Sequence, residues 1–205
     1  MHRLLYNTTK QVLKAHKSSP GLHFSGSGLK SQFSQFSSQA RTKTVDLPMF
    51  EYPPGAKIPI PPSITSPELQ RLFQQNVKRQ EVKTKFGSLS LKKLEQIGDV
   101  KYNAAIIRHL IKAQPQIDWH EMMYLYEVIR SNAQLNAFAK GMRTVDRIHA
   151  GNVTGIKAVA DVQEAEFGAM SFEKGREKTT KFIQSLIDPA IPFHREVYRA
   201  QNNLH

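Results

Sequence analysis

Residues 115–130 read PQIDWHEMMYLYEVIR, and this stretch decides the fold class. Gln114-Pro115 ends one element, because the proline lacks a backbone donor and disfavours helix in the residue before it. Asp118 followed three residues later by Glu121 has the spacing of a capping box with an aspartate cap, and Ile117 stands where a hydrophobic staple would. Met122, Met123, Tyr126 and Ile129 then recur at helical spacing. The pattern predicts a helix opening at Asp118. A break is expected at Ser131-Asn132. The helix then resumes through Leu135, Phe138, Met142, Val145 and His149 to a stop at Gly151.

Working outward, both flanks also read as helix. Upstream, Ser66 precedes Pro67 and Glu68, an N-cap, an N1 proline and a first-turn acid. Leu69, Leu72, Phe73 and Val77 follow at helical spacing, giving a helix to about Thr84 that ends near Gly87. A short helix is expected from Leu91 to a stop at Gly98. Asp99 would then cap another, with Ile106, Ile107, Leu110 and Ile111 on its face. Downstream, Asn152 opens a long pattern to about Ile187, with Ile156, Val159, Phe167, Met170, Phe182 and Leu186 in its stripe. Asp188-Pro189 closes it. No alternating β-branched run with turn chemistry appears, so no sheet is expected. The fold class expected is all-α, an elongated helical bundle or hairpin preceded by an extended proline-rich arm.

That arm lies between residues 46 and 67, DLPMFEYPPGAKIPIPPSITSP, which hold seven prolines. Proline at this density gives an extended chain with few donors. Met49, Phe50, Tyr52, Ile58 and Ile60 make the arm too apolar for a free linker, so it should lie along a protein surface.

Charge is distributed unevenly. The chain of 205 residues has a formal charge of +12 and no cysteine. Missing cysteine excludes a disulfide framework, a thiolate nucleophile and a Cys-ligated metal. Before Asp46 there are seven basic residues and no acid. On a helix, Arg3, Lys10, Lys14 and Lys17 share one narrow arc, while Leu4, Leu5, Val12 and Ala15 lie opposite. An acid-free, serine-rich, amphipathic amino terminus has the composition of a mitochondrial transit peptide, against the alternative of a basic tail for nucleic acid or lipid. Processing is expected between residues 24 and 43. The expected divisions are 1–43 transit peptide, 44–66 arm, 67–188 helical domain and 189–205 carboxyl-terminal tail. No apolar run approaches the ~20 residues that span a bilayer.

Catalytic signatures are missing. His120-Glu121-Met122-Met123-Tyr124 begins like the HExxH zinc helix, but a tyrosine replaces the second histidine. His109, His149 and His194 are scattered and read as surface or helix-end residues. Asp161, Glu164 and Glu166 read as a solvated acidic face. Between residues 71 and 112, ten basic residues face only Glu81, Glu95 and Asp99. This segment reads as a solvated face beside an acidic partner, the alternatives being ribosomal RNA or anionic lipid.

Pro115, then Ile117-Asp118-Trp119 opening a helix with Tyr124 and Tyr126, resembles subunit d of the mitochondrial F-type ATP synthase. Leu135 and Phe138 continue the resemblance, and Asp161-Val162-Gln163-Glu164 is loosely similar. It covers about 25 residues well. It departs from the family in lacking an earlier Ile-Asp-Trp, in having one tryptophan and in its basic charge. The resemblance implies a static subunit of the peripheral stalk, on the matrix side of the inner membrane, with no catalytic residue and no cofactor or metal. Its partners would be other subunits, with peripheral membrane contact. Asp118, Trp119, Tyr126, Phe50 and Tyr52 are the candidate partner interface, Trp119 being read as an anchor more than a core residue. The alternatives are a mitochondrial ribosomal protein that meets RNA through residues 71–112, or an accessory subunit of a respiratory complex.

Overall fold

The computed structural model describes residues 48–75, 80–148 and 153–202. The chain divides into two units, Met1–Leu47 and Pro48–His205, and the description concerns the second. The transit-peptide reading, its processing interval and His149 lie outside the described residues. Within them the protein is predominantly helical: α1 (Pro67–Gln75), a hairpin of β1 (Val82–Thr84) and β2 (Gly87–Leu89), α2 (Leu91–Ala113), α3 (Trp119–Ile129), α4 (Asn132–Gly141), α5 (Thr144–Arg147), α6 (Ile156–Glu173), α7 (Arg176–Ile187) and α8 (Ala190–Gln201). None of these helices is long and apolar enough to cross a membrane.

Several boundaries are where local chemistry puts them. Pro67 opens α1, which buries Leu69, Leu72 and Phe73. Asp118 caps α3, its Oδ1 accepting from the backbone N–H of His120 at 2.7 Å and of Glu121 at 2.9 Å. Ser131 breaks the chain and caps α4, accepting from Gln134 N–H at 3.2 Å.

Elsewhere the expectations need correction. The first helix does not reach Thr84: residues 82–89 form an antiparallel hairpin with Thr84 opposite Gly87. Gly87 takes φ +103°, a left-handed value that glycine tolerates, and the Thr84 hydroxyl accepts from Phe86 N–H at 3.0 Å to hold the turn. Gly98 does not end a helix. Ser90 caps α2, which runs unbroken through Gly98, because that glycine is where the backbone of α6 arrives. A Cβ on Gly98 would lie 1.7 Å from the Glu164 carbonyl oxygen, and one on Gly168 would lie 2.1 Å from the Leu94 carbonyl oxygen. Beside this contact Tyr102 stacks on Phe167 at 5.4 Å and donates its hydroxyl to the Ile129 carbonyl at 2.8 Å, so α3 is tied to the same pair.

The long pattern to Ile187 divides at Gly175, whose φ of +83° turns the chain between α6 and α7. Residues 189–205, expected as a tail, contain α8. It packs on α3 and buries Ala190, Ile191 and His194. The arrangement is therefore a bundle around α2 and α6, not a hairpin.

The proline-rich arm lies along a protein surface, and that surface is this chain's own. Phe50 N–H donates to Gln134 Oε1 and Gln134 Nε2 donates to the Phe50 carbonyl, both at 2.9 Å. The Tyr52 hydroxyl donates to the Leu186 carbonyl at 3.0 Å. Thr65 N–H and Ser66 N–H donate to the Glu173 carboxylate at 2.9 and 3.1 Å.

Gly168→Ala should destabilise the protein by about 3 kcal/mol, because overpacking against a backbone carbonyl outweighs the ~1 kcal/mol by which alanine favours a helix. Ser171→Ala, one turn on, should change stability far less. Chemical denaturation of the two variants checks this, and an unchanged or raised midpoint for Gly168→Ala would rule out the close contact.

Candidate functional site

The five candidate interface residues fall into two groups with different fates. Phe50 is buried, its ring 5.2 Å from Tyr52, 6.4 Å from Phe138 and 5.8 Å from Phe193. Tyr52 is half-buried, and burial pushes its phenol pKa up to about 12. Both serve the chain's own packing. The apolar content of the arm was a true signal for burial, but it named no particular surface.

The other group lies along α3. Trp119 is 62% exposed, although it is the chain's one tryptophan. Trp119, Met123, Tyr126 and Arg130 are spaced i, i+4, i+7 and i+11, so they share one face. That face is exposed at its ends and half-buried between them, with the Arg130 guanidinium 5.2 Å from the Tyr126 ring centroid. The opposite face is buried through Leu125, Val128 and Ile129. Glu121 does not complete the capping box. Its carboxylate turns inward to accept from Arg195 Nε at 2.5 Å, and Arg195 Nη1 also donates to Gln114 Oε1 at 2.7 Å. This ion pair fastens α8 against α3.

The residues read as a solvated acidic face are in large part internal. Glu166 is fully buried and grips Arg147 through two bonds, 2.5 and 2.9 Å, while Gln163 Nε2 donates to it at 3.0 Å. Gln163 in turn accepts from the Thr144 hydroxyl at 2.6 Å, so this polar chain anchors α5 to α6. Asp161 is buried and pairs with Lys157 at 2.7 Å. Glu95, Asp161 and Glu164 can each place a carboxylate oxygen within 4.8 Å of the others, across the seam between α2 and α6. Hard divalent cations take such oxygen ligands, so these are the described residues that could hold one. Two of the three already face lysines, Glu95 with Lys92 and Asp161 with Lys157. Burial first, then the charges of Asp99, Asp161 and Glu95, push the Glu164 pKa up to about 7.

The histidines divide as well. His109 Nε2 meets Asp188 Oδ1 at 2.5 Å, and His120 is exposed. His194, read as a surface residue, is fully buried with Nε2 2.9 Å from Gln134 Oε1, and burial lowers its pKa to about 4. Sequence reasoning missed Gln134 altogether. This buried amide binds both the arm and α8, and only its place on the inner face of a capped helix could have marked it.

No known protein family and no curated protein matches this chain.

Glu164 gives a signed pH prediction. Its folded pKa is raised, so the folded state binds more protons than the unfolded one between about pH 4.5 and pH 7, and stability is lost as pH rises through that window. Glu164→Gln, which mimics the protonated form, should match the parent near pH 4 and exceed it near pH 8 by roughly 1–2 kcal/mol after allowance for partial solvation. Urea midpoints of both proteins at the two pH values test it. A gain equal at both pH values would disprove the raised pKa.

Proposed function

We propose that the chain is a non-catalytic structural subunit of a mitochondrial inner-membrane assembly, the peripheral stalk of the F-type ATP synthase, held on the matrix side by contacts with other subunits. The observation that carries the reading is Trp119. It stands in the segment that resembles subunit d, on a helix whose start Asp118 fixes, yet its indole is mostly exposed. An exposed tryptophan on a rigid element, followed along one face by Met123 and Tyr126, is the composition of an interface anchor. The polar chemistry around it supports the same reading. Glu121, two residues on, is engaged with Arg195 and holds α3 and α8 together behind that face.

The second reading is a mitochondrial ribosomal protein. It rests on the exposed cations Arg71, Lys83, Lys85, Arg108 and Lys112. Purification from detergent-solubilised mitochondria separates the two. Recovery with ATP synthase subunits supports the stalk. Recovery with ribosomal subunits, lost after nuclease treatment, or with a respiratory complex in place of the synthase, sinks it.

Trp119→Ala should leave the melting temperature of the isolated protein nearly unchanged and strip it from its complex on native gels. Asp118→Ala should cost about 1 kcal/mol of stability through loss of the cap. Normal assembly of the Trp119 variant would remove the anchor.

Import is tested separately. Glutamate in place of Arg3, Lys10, Lys14 and Lys17 removes the cationic face of the amino terminus and should abolish potential-driven uptake into isolated mitochondria. Undiminished uptake would show that these residues are not the signal.

A further inference from the structure

Helix α2 has two apolar faces, and its own fold uses one. Leu91, Leu94, Tyr102, Ala105, Ile106 and Leu110 are buried. Val100, Ile107 and Ile111 are 63%, 42% and 59% exposed, with Ala104 half-buried between them. These four follow one another at steps of four, three and four. At 100° per residue they fall within about 60° of arc, the narrow seam of a coiled coil and not the broad stripe of a helix facing a core. Lys101 and Arg108 each directly follow a seam residue, seven apart, and so occupy the same flanking position of successive heptads. Lys112 extends that basic side. The acids of α2 lie away from the seam, Glu95 buried against α6 and Asp99 close enough to Glu164 to raise its pKa.

We propose that this seam docks an amphipathic helix of another subunit, with aliphatic residues in its own seam and glutamate or aspartate on the flank that meets Lys101 and Arg108. The inference rests on the subunit reading and names a second contact for it. Charge decides among the occupants. The chain's residues before Asp46 contain seven bases and no acid, so they would set like charge against the flank. A second copy of α2 would do the same. A membrane surface is met by a wide apolar face, and this one is a single file. Single-stranded RNA is bound on aromatic platforms, and this seam is aliphatic.

The test uses the full chain and two labelled synthetic helices of about four heptads, with leucine at the seam and either glutamate or lysine at both flanks. The protein should bind the glutamate helix about tenfold or more tightly than the lysine helix. Ile107→Ser with Ile111→Ser should abolish that binding without moving the melting temperature, since both side chains are exposed. Lys101→Glu with Arg108→Glu should reverse the preference. Equal binding to both helices, or binding to neither, overturns the proposal. So does seam-dependent binding to phosphatidylglycerol vesicles alone, or self-association that the serine variant abolishes. In the native complex the serine variant should assemble poorly. If it assembles normally while Trp119→Ala does not, this inference falls and the subunit reading stands.

Discussion

The contact between the backbones of α2 and α6 at Gly98 and Gly168 sets the rest of the structure. Each glycine leaves the room that a carbonyl of the other helix fills, so neither helix can move away without opening a void beside the other. At so short a separation the side chains flanking the crossing are forced together. Some of these are aromatic, Tyr102 against Phe167. Others are carboxylates, Glu95 and Asp99 from α2 against Asp161 and Glu164 from α6. The same geometry therefore yields a well-packed ring pair and an electrostatic conflict. Glu164 relieves that conflict by holding its proton to about neutral pH, and Lys92 and Lys157 relieve it by reaching in from outside.

Polar side chains do the fastening around this centre. An arm rich in proline cannot join a sheet, because it lacks the regular donors of a ladder. The backbone groups it keeps still require partners once they leave water. Gln134 supplies both halves of such a pairing to Phe50, and Glu173 accepts from two successive N–H groups at Thr65 and Ser66. The short helix α5 and the last helix α8 are held in a similar way, by Arg147 on Glu166 and by Arg195 on Glu121. Such charge-assisted bonds are shorter and stronger than neutral ones. The first joins the successive helices α5 and α6, and the second joins helices far apart in sequence.

How much of this was legible in the sequence depends on the range of the cause. The start at Asp118 was legible because a cap acts within three residues, and the break at Ser131-Asn132 was legible while the cap that Ser131 supplies was not. Gly98 was misread because glycine serves both as a stop and as a place for close approach, and the sequence near Gly98 does not contain its partner at residue 164. The hairpin was missed because strands of three residues are too short to display alternation. The helix at Ala190–Gln201 was missed because Asp188-Pro189 reads as a close, although Pro189 stands at the N-cap of the next helix, where proline is tolerated. The burial of Asp161, Glu166 and His194 was hidden because a pattern of residue types does not record which polar groups find partners. For the candidate interface, the aromatic character of Phe50 and Trp119 was equally visible. Phe50 turned inward because the arm passes over Phe138, and Trp119 outward because α3 packs through its opposite face, and nothing local to either residue states that.

The distribution of charge follows from the same packing. Glu95, Glu121, Asp161 and Glu166 are buried, and the Glu173 carboxylate is engaged with the arm and Lys174. Lys83, Lys85, Arg108, Lys112 and Lys181 remain at the surface. A chain that is basic by composition thus presents a surface more basic than its composition, because acids were drawn inward as fasteners while the lysines stayed in solvent. Long-range attraction responds to what is outside. Any protein, lipid or RNA that meets this surface is selected for negative charge before short-range packing discriminates among them. On α2 that selection is joined to an aliphatic seam, whereas the exposed indole of α3 stands on a helix that exposes the acids Asp118 and Glu127. The two helices therefore offer different side-chain chemistry under different local charge, so a partner matched to one is not matched to the other.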